Sequence, residues 1–298
     1  MKTLDEHRRE AYASSFKQLF AMVRSPRALF YTARNPRQTI KNIKRLSAPF
    51  FDVRLKESSA ESQIALYRNS LLQLSELAAG DRKCLSVEKF LSHPAIQPWV
   101  NTNNRSNLKL LLDKHGSDKA STHSYHLLYQ PILLKVDTTF GGENIRLMEI
   151  GLGTNNIDVK CNMGVYGRPG ASARAFRDFL PGAQIDGADI DRRILFNEER
   201  IRTFWVDQLS KQSLTDLFKG QAYHLVIDDG LHTFEANLNT VVAAMDAVVP
   251  GGWIAVEDIP NIPEASQIWL AMSNLVADQF ETFVVDTTDA LVFLAQKK

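Results

Sequence analysis

The residues of this sequence that can do chemistry gather at the ends of short apolar runs. In "HLVIDDGLHTF", residues 224 to 234, a strand-like run closes on Asp228 and Asp229, and His232 follows three residues after the second aspartate. Further on, "GGWIAVED" closes on Glu257 and Asp258, 28 residues beyond Asp229. Crowded carboxylates repel one another unless a cation or a proton comes between them, and imidazole ordinarily titrates near neutrality. The pattern suits a divalent cation held by oxygen atoms beside a group that can accept a proton.

Three earlier runs end in the same manner. "IRLMEIG" leads into "EIGLGTNN", with Glu149 just inside the end and Gly151 and Gly153 beyond it; "AQIDGADI" reaches Asp189, and "TFWVD" reaches Asp207 and Gln208. If the runs are strands of an open parallel sheet, their carboxyl ends are where a ligand binds. There the glycines let the backbone approach a ligand, Glu149 accepts from a cationic or amide donor, and Asp189 takes the two hydroxyls of a ribose. Asp207 and Gln208 then read the amino group of an adenine. The three ends together describe a site for an adenosine-containing cofactor. A dinucleotide is the poorer fit, because no third glycine follows and "IDVKCNMGVYGRPG" delays the next helix. Asp189 also falls 40 residues after Glu149, where a dinucleotide fingerprint places its acid about 20 residues on.

These side chains need a scaffold, and the texture of the chain supplies one. From about Ile145, seven β-prone runs alternate with helical stretches, which predicts βαβ units and a mostly parallel sheet covered on both faces. The last two runs, "ETFVVD" and "ALVFLA", are joined only by "DTTD", too short for a crossover, so they should form an antiparallel hairpin. Upstream the chain reads as helical. A helix over 57–80 opens with a Ser58/Glu61 capping box and stops at Gly80; another follows Ser86 and ends near Pro94; "SNLKLLLDKHG", Ser106 to Gly116, carries a cap, an apolar body and a glycine stop.

"EIGLGTNN", the acid of "GADID", "VDQ", "IDDGLH" and "GGWIAVEDI" resemble the class I S-adenosylmethionine-dependent methyltransferases. More narrowly, they are similar to the metal-dependent sugar O-methyltransferases of macrolide and bacterial polysaccharide pathways. The resemblance covers about residues 108 to 298, including "KHGSDKASTHSYHLLYQPIL", and departs at 154–170 and over the first hundred residues. It implies a Rossmann-like sheet of seven strands with a C-terminal hairpin, and S-adenosylmethionine and Mg²⁺ as cofactors. Carried over residue by residue, it makes Asp229, Glu257 and Asp258 metal ligands and His232 the general base. An all-oxygen site suits Mg²⁺, which leaves positions for two neighbouring sugar hydroxyls and lowers the pKa of the one to be methylated. Asp228 stays outside that set, on the cofactor side, where it orients a neighbour or faces solvent. An isolated turn histidine would more simply cap the next helix; the carboxylates beside His232 favour the base. By the same resemblance, Asp118, Lys119, Ser121, His123, Tyr125, His126 and Tyr129 lie over the cofactor and acceptor pocket, although such rings also pack on sheets.

Composition bounds the partners. Residues 1–56 hold 13 Lys/Arg and 4 Asp/Glu, so a net charge of +1 conceals a basic arm followed by an acidic remainder. Between Ala11 and Phe51 there is no acid, and Phe16, Leu19, Phe20 and Val23 keep helical spacing. The arm reads as short basic amphipathic helices that dock on an anionic membrane surface or a lipid-linked glycan, or that pack on their own domain or on another subunit of a homo-oligomer. The expected division is therefore a basic helical arm over 1–56, a helical region over 57–107 and a methyltransferase domain over 108–298. No apolar run reaches membrane-spanning length, the N-terminus lacks the apolar core of a signal peptide, and Cys84 and Cys161 match no zinc spacing, which leads to the expectation of a cytoplasmic protein. No recognition module for nucleic acid is evident. Competing with a sugar O-methyltransferase are an enzyme acting on a catechol-like hydroxyl, whose relatives often carry lysine at the place of His232, and a non-catalytic cofactor-binding scaffold. The intact set Asp229, His232, Glu257 and Asp258 speaks against a decayed site.

Overall fold

A computed structural model describes residues 60–100 and 107–298, with side chains from residue 69 onward. The basic arm, Ser58 of the expected capping box and Ser106 lie outside the described residues. Helix α1 spans Ala60–Ala79 and stops at Gly80, whose left-handed backbone (φ 57°) ends it as expected. The chain divides into two compact units after Leu74, and Ser75–Lys298 carries the sheet.

In that unit, β1 (Leu85–Ser86) precedes α2 (Val87–Leu91), which Ser86 caps by accepting from Lys89 N. Helix α3 (Leu108–His115) is capped by Asn107 and ended by left-handed Gly116. Then follow α4 (His126–Thr139), β2 (Ile145–Ile150), α5 (Ala171–Phe179), β3 (Ala183–Asp189), β4 (Asn197–Glu198), β5 (Ile201–Trp205) and α6 (Lys211–Phe218). The remainder is β6 (Tyr223–Asp228), α7 (Phe234–Ala247), β7 (Val248–Pro260), α8 (Pro263–Leu275), β8 (Phe280–Asp286) and β9 (Ala290–Lys297). Among the described residues, no helix is long and apolar enough to cross a membrane.

Among the described residues, nine strands form one sheet in the order β1-β8-β9-β7-β6-β2-β3-β5-β4. The expected seven strands are present, and β8 and β9 pair antiparallel as the short "DTTD" link requires. The two additional strands are two-residue edges, β1 parallel to β8 and β4 antiparallel to β5. Segments so short carry no hydrophobic period to read. Inner strands are buried on both faces, so neighbours in sequence serve opposite cores. Leu147, Ile185, Leu225 and Ala255 pack with Leu112, Ile132 and Phe176 of α3, α4 and α5. Met148, Val226, Ile254 and Val256 pack with Leu214, Val241 and Trp269 of α6, α7 and α8. Phe90 of α2 is buried in the first of these cores, so part of the stretch read as a separate helical region closes the sheet unit.

One expected strand end is not an end. β7 pairs with β6 only as far as Val256, and its pairing with β9 shifts between Val256 and Ile259 before resuming to Pro260. Glu257 and Asp258 therefore sit on a bulge within a long strand, and Asp258 adopts a left-handed backbone (φ 53°). Bulges re-aim side chains, and here the two adjacent acids are sent in different directions.

Candidate functional site

The chain runs from β2 through β3 and β5 on one side, then returns to β6 and β7 on the other. The order reverses between β2 and β6, and the crevice outside the carboxyl ends at such a switch point is where an open α/β sheet binds its ligand. The two ends are joined at that point, with Asp229 N donating to Ile150 O at 2.8 Å. Gly151 has φ 94°, and a Cβ there would collide with the carbonyl of Asp229. The close approach that this glycine permits is thus of backbone to backbone, and it sets the position of Asp229.

Beside the crevice lies a cavity of about 300 Å³ lined by Gly151, Gly153, Asp189, Asp207, Gln208 and, toward the acidic end, Asp229, His232 and Asp258, among other residues. Asp189 accepts from Leu152 N and Asp191 N, both at 2.8 Å, and burial raises its pKa against those bonds. Asp207 holds the turn into α6 by accepting from Leu209 N. Gln208 departs from expectation. Its Nε2 donates to Asp228 Oδ1 at 2.7 Å and Thr240 Oγ1 at 2.9 Å, while its Oε1 accepts from Leu231 N at 2.8 Å. Its amide is committed to the protein and ties the end of β5 to the loop after β6. Asp228 does not face solvent; it is buried beneath that loop, burial raises its pKa, and Oδ2 has no partner. Glu149 is also buried and lies off this cavity. It accepts from Ser172 Oγ at 2.7 Å, and burial pushes its carboxyl up to about 7 against the pull of Lys119.

At the acidic end, one ligand atom each from Asp229, His232 and Asp258 falls within 4.8 Å of the others. His232 Nε2 is 3.7 Å from Asp258 Oδ2 and 4.0 Å from Asp229 Oδ1. The imidazole Nδ1 is buried without a partner. Asp258 Oδ1 accepts from Tyr125 OH, and the Tyr125 ring stacks on that of His123 at 4.7 Å. Glu257, expected in the same set, is not brought to it. Its side chain is 1% exposed, with Oε1 accepting from Tyr129 OH and Oε2 from Lys119 Nζ.

Lys119, which the resemblance sets over the cofactor and acceptor pocket, takes partners that the sequence does not reveal. The ammonium is buried, 2.6 Å from both Asp229 and Glu257 and 3.6 Å from Glu149. Burial works to lower its pKa, and the three carboxylates overcome this and hold it well above the ordinary lysine value. Burial likewise raises Asp229 and Glu257, against Lys119. Asp191 is not among the residues that the sequence singles out. It accepts from Thr154 Oγ1 at 2.7 Å and Asn156 Nδ2 at 2.8 Å, pinning the 154–170 loop to the end of β3. The alternation Asp189-x-Asp191 was its signal. Val159, Lys160, Cys161 and Met163 of that loop reach the cavity wall.

No family model matches the chain. Two curated proteins do match part of it. Mycinamicin VI 2''-O-methyltransferase of Micromonospora griseorubida is 33% identical over 125 residues, 40% of this chain and 28% of that protein. Demethylmacrocin O-methyltransferase of Streptomyces fradiae is 32% identical over 124 residues, 40% of this chain and 29% of that protein. The matched stretch thus spans less than a third of either relative. In three dimensions the chain is similar to MycE methyltransferase from the mycinamycin biosynthetic pathway, crystallised with Mg and SAH (TM-score 0.51, 22% identity, 65% of this chain and 55% of that one). A further crystal of MycE also holds mycinamycin VI. The sheet is that of a Rossmann-like, class I methyltransferase fold, and part of the chain resembles these two O-methyltransferases in sequence.

Proposed function

We propose that the chain is an S-adenosylmethionine- and Mg²⁺-dependent O-methyltransferase acting on a sugar hydroxyl of a polysaccharide, a lipid-linked glycan or a glycosylated natural product. The observation that carries this reading is the convergence of Asp229, His232 and Asp258 on the wall of a cavity that Asp189 and Asp207 also line. The matched relatives are O-methyltransferases named for mycinamicin VI and demethylmacrocin, and MycE crystals hold Mg and SAH.

The residues present fit these groups. Mg²⁺ is commonly bound by one or two carboxylates and keeps other positions for water or substrate. Asp229 Oδ1 and Asp258 Oδ2 face the same point, 4.0 and 3.7 Å from His232 Nε2. Asp189, fixed by two backbone donors, has lone pairs left for the ribose hydroxyls of an adenosine. Asp229 and Asp258 would hold the divalent ion, which would supply Lewis acidity toward an acceptor hydroxyl, and the cofactor would supply an electrophilic methyl group. His232 Nε2 takes the hydroxyl proton. Tyr125 holds Asp258 from the far side, which keeps Oδ2 toward the histidine. In the same reading the basic arm over 1–56 docks the enzyme on an anionic membrane surface or a lipid-linked acceptor.

The test is a methyl-transfer screen against nucleotide sugars, free glycosides, lipid-linked glycans and catechols, with and without Mg²⁺. Transfer to a sugar that stops on exhaustive chelation and returns with Mg²⁺ is the expected result. Transfer that survives chelation, or that favours catechols, would overturn the reading.

A further inference from the structure

Lys119 lies beneath the proposed metal group, and the reaction as proposed does not use it. Its ammonium bridges two carboxylates that are distant in sequence, 2.6 Å from Asp229 Oδ2 and 2.6 Å from Glu257 Oε2. Glu257 Oε1 accepts from Tyr129 OH, so both of its oxygens have donors from the segment before β2. The other two acids are divided differently. Asp229 gives Oδ2 to Lys119 and leaves Oδ1 on the side of His232; Asp258 gives Oδ1 to Tyr125 and leaves Oδ2 on that side. A divalent ion bridging Asp229 and Glu257 would have to take the place that the ammonium fills, because two cations cannot share it without strong repulsion. Glu257 is accordingly absent from the converging donors.

We propose that Lys119 is a positioning residue that keeps Glu257 as its own counter-ion, outside the metal's ligand set, and turns Asp229 so that only Oδ1 is offered to the metal beside Asp258. This inference rests on the metal-dependent reading above. It gives Mg²⁺ two carboxylate ligands where the resemblance implies three, which leaves more positions for neighbouring hydroxyls of an acceptor. It also gives buried Glu257 a fixed cation that does not depend on metal loading. Ligand orientation by such outer partners typically changes metal affinity by about 10- to 100-fold.

The probe is Mn²⁺ alone, titrated into the full metal-free chain, with free Mn²⁺ followed by electron paramagnetic resonance. Glu257→Gln, which keeps an acceptor oxygen for Lys119, should bind Mn²⁺ within about threefold of the unmodified chain, whereas Asp258→Asn should lose about 100-fold. Lys119→Met frees Glu257 and should tighten binding about tenfold, and adding Glu257→Gln to it should cancel the gain. Near-UV circular dichroism identifies any variant that has not folded, and Glu257→Gln carries the test if Lys119→Met is among them. Loss of affinity in Glu257→Gln equal to that in Asp258→Asn would overturn the inference while leaving metal dependence intact. So would a folded Lys119→Met with unchanged affinity. No Mn²⁺ uptake by the unmodified chain would overturn the metal reading itself, and this inference with it.

Discussion

His232 Nε2 stands 3.7 Å from Asp258 Oδ2, and both residues hold left-handed backbones, φ 56° and 53°. Left-handed geometry is uncommon outside glycine and costs of order 1 to 3 kcal/mol at a non-glycine residue. Here it brings the loop after β6 and the bulge of β7 together at one point.

Replacing His232 separates the proton acceptor from the scaffold. Asn adopts the left-handed region more readily than most residues, so His232→Asn should fold and should bind S-adenosylmethionine by calorimetry as the unmodified chain does. Methyl transfer should fall by about 10²- to 10⁴-fold. Equal losses of binding and turnover would remove the histidine from the proton-transfer role.

Gln208 makes the opposite prediction. Because its amide joins Asp228, Thr240 and Leu231 N, Gln208→Leu strands buried polar groups and should destabilise the chain by about 1 to 3 kcal/mol. Urea unfolding measures this directly. A variant as stable as the parent but with much weakened cofactor binding would return Gln208 to the reading of adenine.

Gly151→Ala should be among the more damaging single substitutions. Its Cβ meets the carbonyl of Asp229, whereas one at Gly164, also left-handed (φ 68°), meets nothing within 4 Å. Gly164→Ala therefore isolates the backbone cost, of order 1 to 2 kcal/mol, and Gly151→Ala should exceed it by about 2 kcal/mol or more. Comparable thermal melting of the two variants would contradict the contact.

Glu149 should impose a pH dependence on stability. Burial lifts its carboxyl from an ordinary 4.5 to about 7 in the folded chain, so the folded state binds this proton more tightly than the unfolded state. The resulting penalty is absent below about pH 4.5, grows as pH rises, and is complete above about pH 7, where it is of order 3 kcal/mol. Glu149→Gln should lose this downward slope between pH 5 and 7 and be the more stable variant at pH 8, as read from urea midpoints. Parallel profiles for the two chains would show that Glu149 is ionised without penalty.

Residues 1–56 carry the excess of basic charge, and the full chain should cosediment with anionic vesicles, remain in the supernatant with neutral ones, and be released by high salt. Equal recovery with both vesicle types would exclude an electrostatic dock.

The alternation of strands and helices, the terminal hairpin and the acids that close successive strands are all legible in the order of the amino acids. Hydrophobic period and chain order are local properties, and together they specify which residues a parallel sheet delivers to its carboxyl edge. Asp189, Asp207, Asp229 and His232 could therefore be picked out before any contact was known, and all border the cavity. Which atoms of those residues face one another was settled by the folding of distant segments. A bulge in β7 divides Glu257 from Asp258, a buried Gln208 turns inward to Asp228, and Lys119 crosses 110 residues of sequence to reach Asp229. These outcomes depend on register shifts and on partners far away along the chain, and burial makes each partner obligatory: a carboxylate withdrawn from water must find a cation or a hydrogen-bond donor, and only the folded chain determines which one is near.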